Sequence, residues 1–164
     1  MIRNLLYVYT LIYGVIPERA QQCIDHNITM CERAGVTFKI IPFTVNKGES
    51  PAGMANFLRL TKAATEPRIL YIDWDIKIKS FPEFDPQAPM MGDHTYYGIK
   101  CIDHWAIYNG DRLEVFREIL NLYTGRIGIF SSYFKIFNMQ KLQCKFKRIT
   151  TFEHLALAQG RKEL

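Results

Sequence analysis

Two aspartates separated by one residue are the side chains best placed to do chemistry. Asp73 and Asp75 follow an apolar run, residues 69–72, whose composition suits a strand buried on both faces. Because side chains alternate along an extended chain, both carboxylates are expected on one side and Trp74 on the other. Two carboxylates this close repel each other unless a cation lies between them. The spacing suits a divalent-cation site with positions open to phosphate oxygens, and two solvated acids that begin a turn are the alternative.

The elements around the aspartates alternate between strand and helix. Three apolar, β-prone segments are predicted as strands: residues 5–12, 36–43 and 68–73. Two segments with apolar side chains every three to four positions are predicted as helices: residues 17–35 and 51–65, the latter with Ser50 as its N-cap. This order predicts an α/β fold with a mostly parallel central sheet flanked by helices. In such sheets ligands bind at the carboxyl ends of the strands, where both aspartates fall.

The second half of the chain has a less regular pattern. Residues 81–91 are rich in proline and are predicted as a loop, and residues 96–108 as one or two short strands. An amphipathic helix is predicted over residues 111–123. Apolar and polar side chains alternate over residues 142–147, which predicts a half-buried strand, and residues 151–159 are predicted as a short closing helix.

Composition limits the class of protein. The chain has 164 residues, 48% of them apolar and 23% charged, which is typical of one globular domain. Its net charge of +5 suits a phosphate-bearing partner without choosing among nucleotide, nucleic acid and anionic lipid. The four cysteines form no Cys-x-x-Cys pair and are predicted to be buried thiols in a reducing compartment. The apolar first 16 residues are too few for a membrane span, so a cytoplasmic location is expected.

Two segments together resemble the central signature of GT-A glycosyltransferases: residues 55–60 and residues 69–76. The similarity is greatest to glycosyltransferase families 8 and 32, whose sugar-binding region contains an Asp-x-Asp motif. Arg59 matches the arginine of the family's helix, and Asp73 and Asp75 match the two aspartates that follow its strand. The resemblance implies a compact Rossmann-like GT-A domain, with residues 1–80 as its nucleotide-sugar-binding half and residues 81–164 as its acceptor- and metal-completing half.

The resemblance also implies an activity and its site. It implies transfer of a sugar, with retention at the anomeric carbon, from a nucleoside-diphosphate donor, with a UDP-sugar favoured. Mn²⁺ or Mg²⁺ would be held by Asp73 and Asp75, with His154 as a third ligand. Asp73 would also contact the donor, together with Asn56 and Arg59. For Arg59 and His154, an ordinary surface position is the alternative.

Three more residues are assigned with less support. Asn109, followed by Gly110, resembles an Asn-x-Gly segment that faces the donor sugar in some retaining enzymes, which would make Asn109 catalytic. Tyr9 and Thr10 are expected near the end of the first strand, where they would recognise the base. A core ring is the alternative for Tyr9, and a turn residue is the alternative for Asn109.

The sequence departs from the family pattern in ways that leave other functions open. Asn56 replaces an aspartate, residues 68–69 replace two glycines, and the chain is short. A GT-A scaffold that binds a nucleotide-sugar without turnover is therefore one alternative. A nucleic-acid-binding or phosphodiester-cleaving protein, suggested by the basic residues 141–148, is a weaker one. The acceptor is unknown, and three acids remain candidates for the general base: Asp93, Asp103 and Glu153.

Overall fold

The computed structural model describes residues 2–96, 98–121 and 145–155. Within these ranges the helices are α1 (Glu18–Ala34), α2 (Pro51–Thr65) and α3 (Leu113–Asn121). The strands are β1 (Tyr7–Ile12), β2 (Thr37–Pro42), β3 (Ile69–Ile72), β4 (Ile76–Ile78), β5 (Met90–Tyr96), β6 (Ile99–Tyr108), β7 (Lys147–Ile149) and β8 (Phe152–His154).

Six of these strands form one mixed sheet in the order β2-β1-β3-β6-β5-β7. β1 lies parallel to both β2 and β3, and β5 lies parallel to β7. β6 is antiparallel to its neighbours β3 and β5. The α/β class and the mostly parallel central sheet flanked by helices are confirmed. Both predicted halves of the chain contribute strands to this sheet.

The sheet is covered by helices because its central strands are apolar on both faces. Every residue of β1 and β3 is buried. On one face, side chains of these strands pack with α2 and α3 around Leu60 and Phe116. On the other face they pack with Cys31 of α1 and with Ile76 and Ile78 of β4. Burial on both faces is what the unbroken apolar runs predict.

The helix ends follow the signals in the sequence. The Ser50 side chain accepts a hydrogen bond from the Gly53 N–H at 3.0 Å, so its predicted role as N-cap of α2 is confirmed. α1 ends at Gly35, which has a φ of 71° in the left-handed region that glycine adopts without strain. These caps fix α2 with its first turn at the carboxyl edge of the parallel strands.

The second half differs from the prediction at several points. Residues 152–154 form the strand β8 instead of part of a helix, because they pair antiparallel with β4. β6 is one long strand, and β5 begins at Met90, inside the predicted loop. Half of the predicted strand over residues 142–147 and half of the basic segment 141–148 lie outside the described residues, as do residues 122–123 of the predicted helix.

The structure bears on two further predictions, the buried thiols and the lack of a membrane span. Cys23 and Cys31 are free and buried, as predicted, whereas Cys144 lies outside the described residues. No helix in the described part of the chain is both long enough and apolar enough to cross a membrane.

Candidate functional site

A tight turn, and not the pleat of a strand, places the two aspartates. β3 ends at Ile72, and the Ile76 N–H then donates to the Asp73 carbonyl at 3.1 Å, which closes a turn over residues 73–76. The Asp73 N–H donates to the Trp105 carbonyl of β6 at 2.8 Å, so the turn is tied to the sheet. Both carboxylates therefore lie at the carboxyl end of β3, as expected, but strand alternation does not orient them.

Asp73 is held by an arginine and a tyrosine. Nη1 of Arg59 lies 2.8 Å from Asp73 Oδ1 and 3.2 Å from the Tyr71 hydroxyl, which also donates to Asp73 Oδ1. Arg59 is buried, so the alternative of a surface arginine is wrong, while the Asp73 side chain is 30% exposed. Burial raises the pKa of Asp73, and the Arg59 guanidinium opposes that rise. Burial raises the pKa of Tyr71 still further, so its hydroxyl stays protonated and remains a donor.

Asp75 and His154 face each other across the small sheet of β4 and β8. His154 pairs with Ile76, and the Leu155 N–H donates to the Asp75 carbonyl at 2.9 Å. Nε2 of His154 lies 3.4 Å from Oδ2 of Asp75. The Asp75 side chain is 4% exposed, and Oδ2 has no hydrogen-bond partner among the described residues. A buried carboxylate oxygen without a hydrogen bond is costly, so this geometry calls for a positive group.

An asparagine of α1 fixes the strand that follows Asp75. Nδ2 of Asn27 donates to the Ile76 carbonyl at 2.7 Å, and Oδ1 accepts from the Ile78 N–H at 2.9 Å. Asn27 is buried, so both bonds are shielded from water. β4 is thus held by α1 on one side and by β8 along its edge.

The donor atoms at this site fit a divalent cation only in part. Among the described residues, no three His, Cys, Asp or Glu side chains are grouped so that they could hold an ion by themselves. Asp73 Oδ1 is already engaged by Arg59, whereas Asp75 Oδ2 and His154 Nε2 are close and differ in ligand type. Carboxylate oxygen and imidazole nitrogen suit Mn²⁺, with the remaining positions left to phosphate and water. Asp75 and His154 therefore fit the expected ion better than Asp73 does.

A buried polar chain lies next to the carboxylates on the α2 side. Oδ1 of Asn56 lies 3.1 Å from Nε2 of His104, and Nδ1 of His104 lies 2.6 Å from Oδ1 of Asp103. Asn56 precedes Arg59 by about one turn of α2, so both residues predicted to contact the donor face the site. The sequence argument assigned His104 no role. Two adjacent polar residues inside the apolar run of β6 are the signal that could have found it.

The residues predicted to recognise the base are not where they were expected. Tyr9 and Thr10 lie in the middle of β1, which continues to Ile12, and both are fully buried. Tyr9 is a core ring, packed against Tyr71 with centroids 5.3 Å apart. Neither side chain presents a surface to a nucleotide in this structure, so the structure does not support their donor-binding role.

An aromatic pair with one exposed ring instead lies where β1 and β2 end. Tyr13 follows β1 and is 51% exposed, and its ring centroid is 5.7 Å from that of Phe43. The Phe43 N–H donates to the Ile12 carbonyl at 3.0 Å, which holds the two strand ends together. Sequence reasoning placed the end of the first strand correctly at residue 12. It missed Tyr13 because it assigned the base to Tyr9 and Thr10, which lie before that end and not beyond it.

Asn109 lies at the wrong end of the sheet for catalysis. Its Oδ1 accepts from the Ile69 N–H at 3.0 Å, and its Nδ2 donates to the carbonyls of Ala63 and Glu66. Ile69 begins β3, whereas Asp73 follows its end, so roughly 13 Å of strand separates the two. Asn109 is fully buried with its amide engaged. The predicted catalytic role is not supported; the residue joins α2 to the start of β3.

The three candidates for a general base have different surroundings. Asp93 lies 3.6 Å from Arg148, and the exposed Glu153 lies 2.9 Å from Lys79. Asp103 is buried against His104, beside the carboxylate site. Of these acids, Asp103 is the one that the fold brings next to the aspartates.

The fold and the site together define an α/β protein whose polar cluster lies at the carboxyl ends of parallel strands, the usual ligand position in this class. No protein-family model matches the chain. A search of curated proteins also finds no match. Among solved structures, the chain is similar to a glycosyltransferase involved in the glycosylation of the major capsid of PBCV-1. The TM-score is 0.58, with 10% identical residues over 93% of this chain and 94% of that one. At this identity the likeness establishes the fold.

Proposed function

We propose that this chain is a metal-dependent glycosyltransferase, which moves a sugar from a nucleoside-diphosphate donor to an acceptor hydroxyl. The observation that carries the proposal is Oδ2 of Asp75, a buried carboxylate oxygen that no residue in the described part of the chain hydrogen-bonds, 3.4 Å from Nε2 of His154. It lies at the carboxyl end of β3 in a glycosyltransferase-like fold. A bound Mn²⁺ or Mg²⁺ would supply Lewis-acid neutralisation of the diphosphate leaving group.

The aspartates have different roles in this proposal. Asp75 and His154 hold the ion, because Oδ2 of Asp75 accepts no hydrogen bond from the described residues and Nε2 of His154 faces it at 3.4 Å. Asp73 contacts the ribose or the sugar, since Arg59 and Tyr71 occupy its Oδ1 while the side chain stays partly exposed. A carboxylate fixed in this way accepts hydrogen bonds from hydroxyl groups without reorganising.

The rest of the donor falls on the neighbouring strand ends. Tyr13, beside Phe43, offers an exposed ring on which a base can stack. UDP is the first nucleotide to test, because the resemblance favours a UDP-sugar. Asn56 lies on the α2 side with its amide held by His104, where it can contact the sugar. Retention at the anomeric carbon is proposed from the resemblance. The NMR signal of the anomeric proton in the product tests it.

The test is thermal unfolding with UDP and UDP-sugars, each with and without Mn²⁺. A ligand at about 100 times its Kd adds about 2.7 kcal/mol, which raises Tm by roughly 5–10 °C for a chain of this size. We expect that shift only with Mn²⁺, and we expect Asp75→Asn to abolish it. Without ligand, Asp75→Asn should be at least as stable as wild type, because it removes a carboxylate oxygen that is buried without a hydrogen bond from the described residues.

Asp93→Asn is the matched control, because it removes a carboxylate that pairs with Arg148 and not with His154. It should keep the full Mn²⁺-dependent shift. A shift that survives in Asp75→Asn, or the absence of any shift in wild type, contradicts the proposal. Binding of a UDP-sugar without release of UDP over a broad acceptor panel would instead identify a non-catalytic binding protein.

A further inference from the structure

Trp105 contacts both the turn of residues 73–76 and His154, which faces Asp75. Its carbonyl accepts the hydrogen bond from the Asp73 N–H, and its ring stacks on His154 with centroids 6.2 Å apart and planes inclined by 24°. We propose that Trp105 is a positioning residue that holds the His154 imidazole beside Asp75, so that the two side chains bind a divalent cation together. This inference rests on the proposed function, and it assigns a role to a residue that touches neither donor nor ion.

The position of the indole is fixed by a glycine on the next strand. Gly92 lies on β5 at an irregularity in its pairing with β6. A Cβ built on Gly92 would lie 2.2 Å from Cε2 of Trp105, so any side chain there would push the ring away. Trp105 is buried in the same apolar cluster as Phe84 and Tyr108. The ring therefore has little freedom to move towards β5.

His154 needs such support because its own strand is short. β8 has three residues, and its pairing with β4 fixes the backbone of His154 beside Ile76 but not the side-chain angles. The imidazole is 29% exposed, so water would allow it several rotamers. Stacking on an immobile indole selects the rotamer that points Nε2 at Asp75. A ligand oriented in advance binds its ion more tightly, because less freedom is lost on binding.

A double-mutant cycle separates positioning from simple packing. The experiment measures binding of Mn²⁺ to the full chain in the presence of UDP. The readout is the decrease of the electron paramagnetic resonance signal of free Mn²⁺. We expect Trp105→Leu to weaken binding by about tenfold, as is typical when a group that orients a metal ligand is removed. His154→Ala should weaken it at least as much. Trp105→Leu should then cause no further loss in the His154→Ala background, since it acts through that histidine.

Phe84→Leu is the control for loss of a buried ring from the same cluster, and it should lower stability without changing Mn²⁺ affinity. If Trp105→Leu does not fold, Trp105→Phe and Gly92→Ala, which displaces the ring, enter the same cycle. Equal losses in both backgrounds, or no loss in either, would overturn the inference while leaving the metal site intact. Absence of Mn²⁺ binding in wild type would overturn the proposed function first and this inference with it.

Discussion

The charge of Asp73 is supported by the buried Arg59 guanidinium and by a hydrogen bond from the Tyr71 hydroxyl. Arg59 reaches Asp73 through Nη1, and its Nε is buried without a hydrogen-bond partner in the part of the chain that the structure describes. Burial already raises the pKa of Asp73, so removal of Arg59 would raise it further. Arg59 is thus coupled to Asp73 in stability and, under the proposed function, in donor binding.

Arg59→Met should destabilise the fold by about 2 kcal/mol, because it strands a carboxylate that is only partly exposed. The double variant Arg59→Met/Asp73→Asn should recover part of that loss, since the charge that lacked a partner is gone. Urea unfolding at pH 7 measures both values. Equal stability of the single and double variants would show that Arg59 and Asp73 are not energetically coupled.

The motif at residues 73–75 was found from sequence, but its geometry was not. Composition alone marks two acids after an apolar run. The partners come from distant segments: Arg59 from α2, His154 from β8 and Trp105 from β6. No local pattern encodes such contacts, and buried polar residues such as His104 are recognised only once their neighbours are known.

At the scale of elements, two asparagines act as clamps between helix and sheet. Asn27 joins α1 to β4, next to the carboxylates, and Asn109 joins α2 to the first residue of β3, at the opposite end. Each satisfies backbone groups that would otherwise be buried without hydrogen bonds. The two clamps are chemically alike and differ in their distance from the proposed ion site.

Asn27→Ala and Asn109→Ala should each cost about 2–3 kcal/mol, because each leaves buried backbone groups unpaired. Only Asn27→Ala should also weaken Mn²⁺ binding, since it loosens the strand that follows Asp75. Chemical unfolding and Mn²⁺ titration of the folded variants measure the two effects. If Asn109→Ala lost more Mn²⁺ affinity than Asn27→Ala, the result would contradict this assignment and would support the site role predicted for Asn109 from the sequence.

Elements with long periodic patterns were predictable, and short ones were not. α1, α2 and the first three strands follow from apolar spacing and caps that lie within each segment. β8 was predicted as helix because three residues carry too little pattern, and its strand conformation comes from pairing with β4. The backbone at Arg68 was not predictable from the residue type either. Arg68 adopts a φ of 56°, in the left-handed region, at a position where the GT-A pattern that the sequence resembles has glycine.

At the scale of the whole molecule, the net charge is positive, and ion pairs with carboxylates offset the repulsion among the positive side chains. The chain carries +5 at neutral pH, and that charge grows as carboxylates are protonated. Burial acts to raise the pKa of Glu66, but hydrogen bonds from Lys62 and Tyr7 outweigh it, so the pKa is lowered. A carboxyl group with a lowered pKa stabilises the fold above its ordinary pKa, and this contribution is lost as pH falls through the folded-state value.

Tm should therefore be highest near neutral pH and should fall below about pH 4. Glu66→Gln should lower Tm at pH 7, by an amount equivalent to at most about 1 kcal/mol for so exposed a pair. At pH 3 the difference between Glu66→Gln and wild type should be smaller, because the contribution of the Glu66 charge is lost as pH falls through its folded-state pKa. Scanning calorimetry at both values measures the change; a constant difference would show that ionisation of Glu66 contributes nothing.

The pairing of β4 with β8 determines when, during synthesis, Asp75 and His154 can come together. Asp75 and His154 are 79 positions apart in the chain. At about 5–20 residues per second, a ribosome makes the histidine roughly 4–16 seconds after the aspartate. Throughout that interval the nascent chain carries β1 to β3 and the carboxylate turn without the strand that completes it. A site that uses both residues can form only after β8 has been made, so a nascent chain that lacks β8 cannot bind the ion in the proposed way.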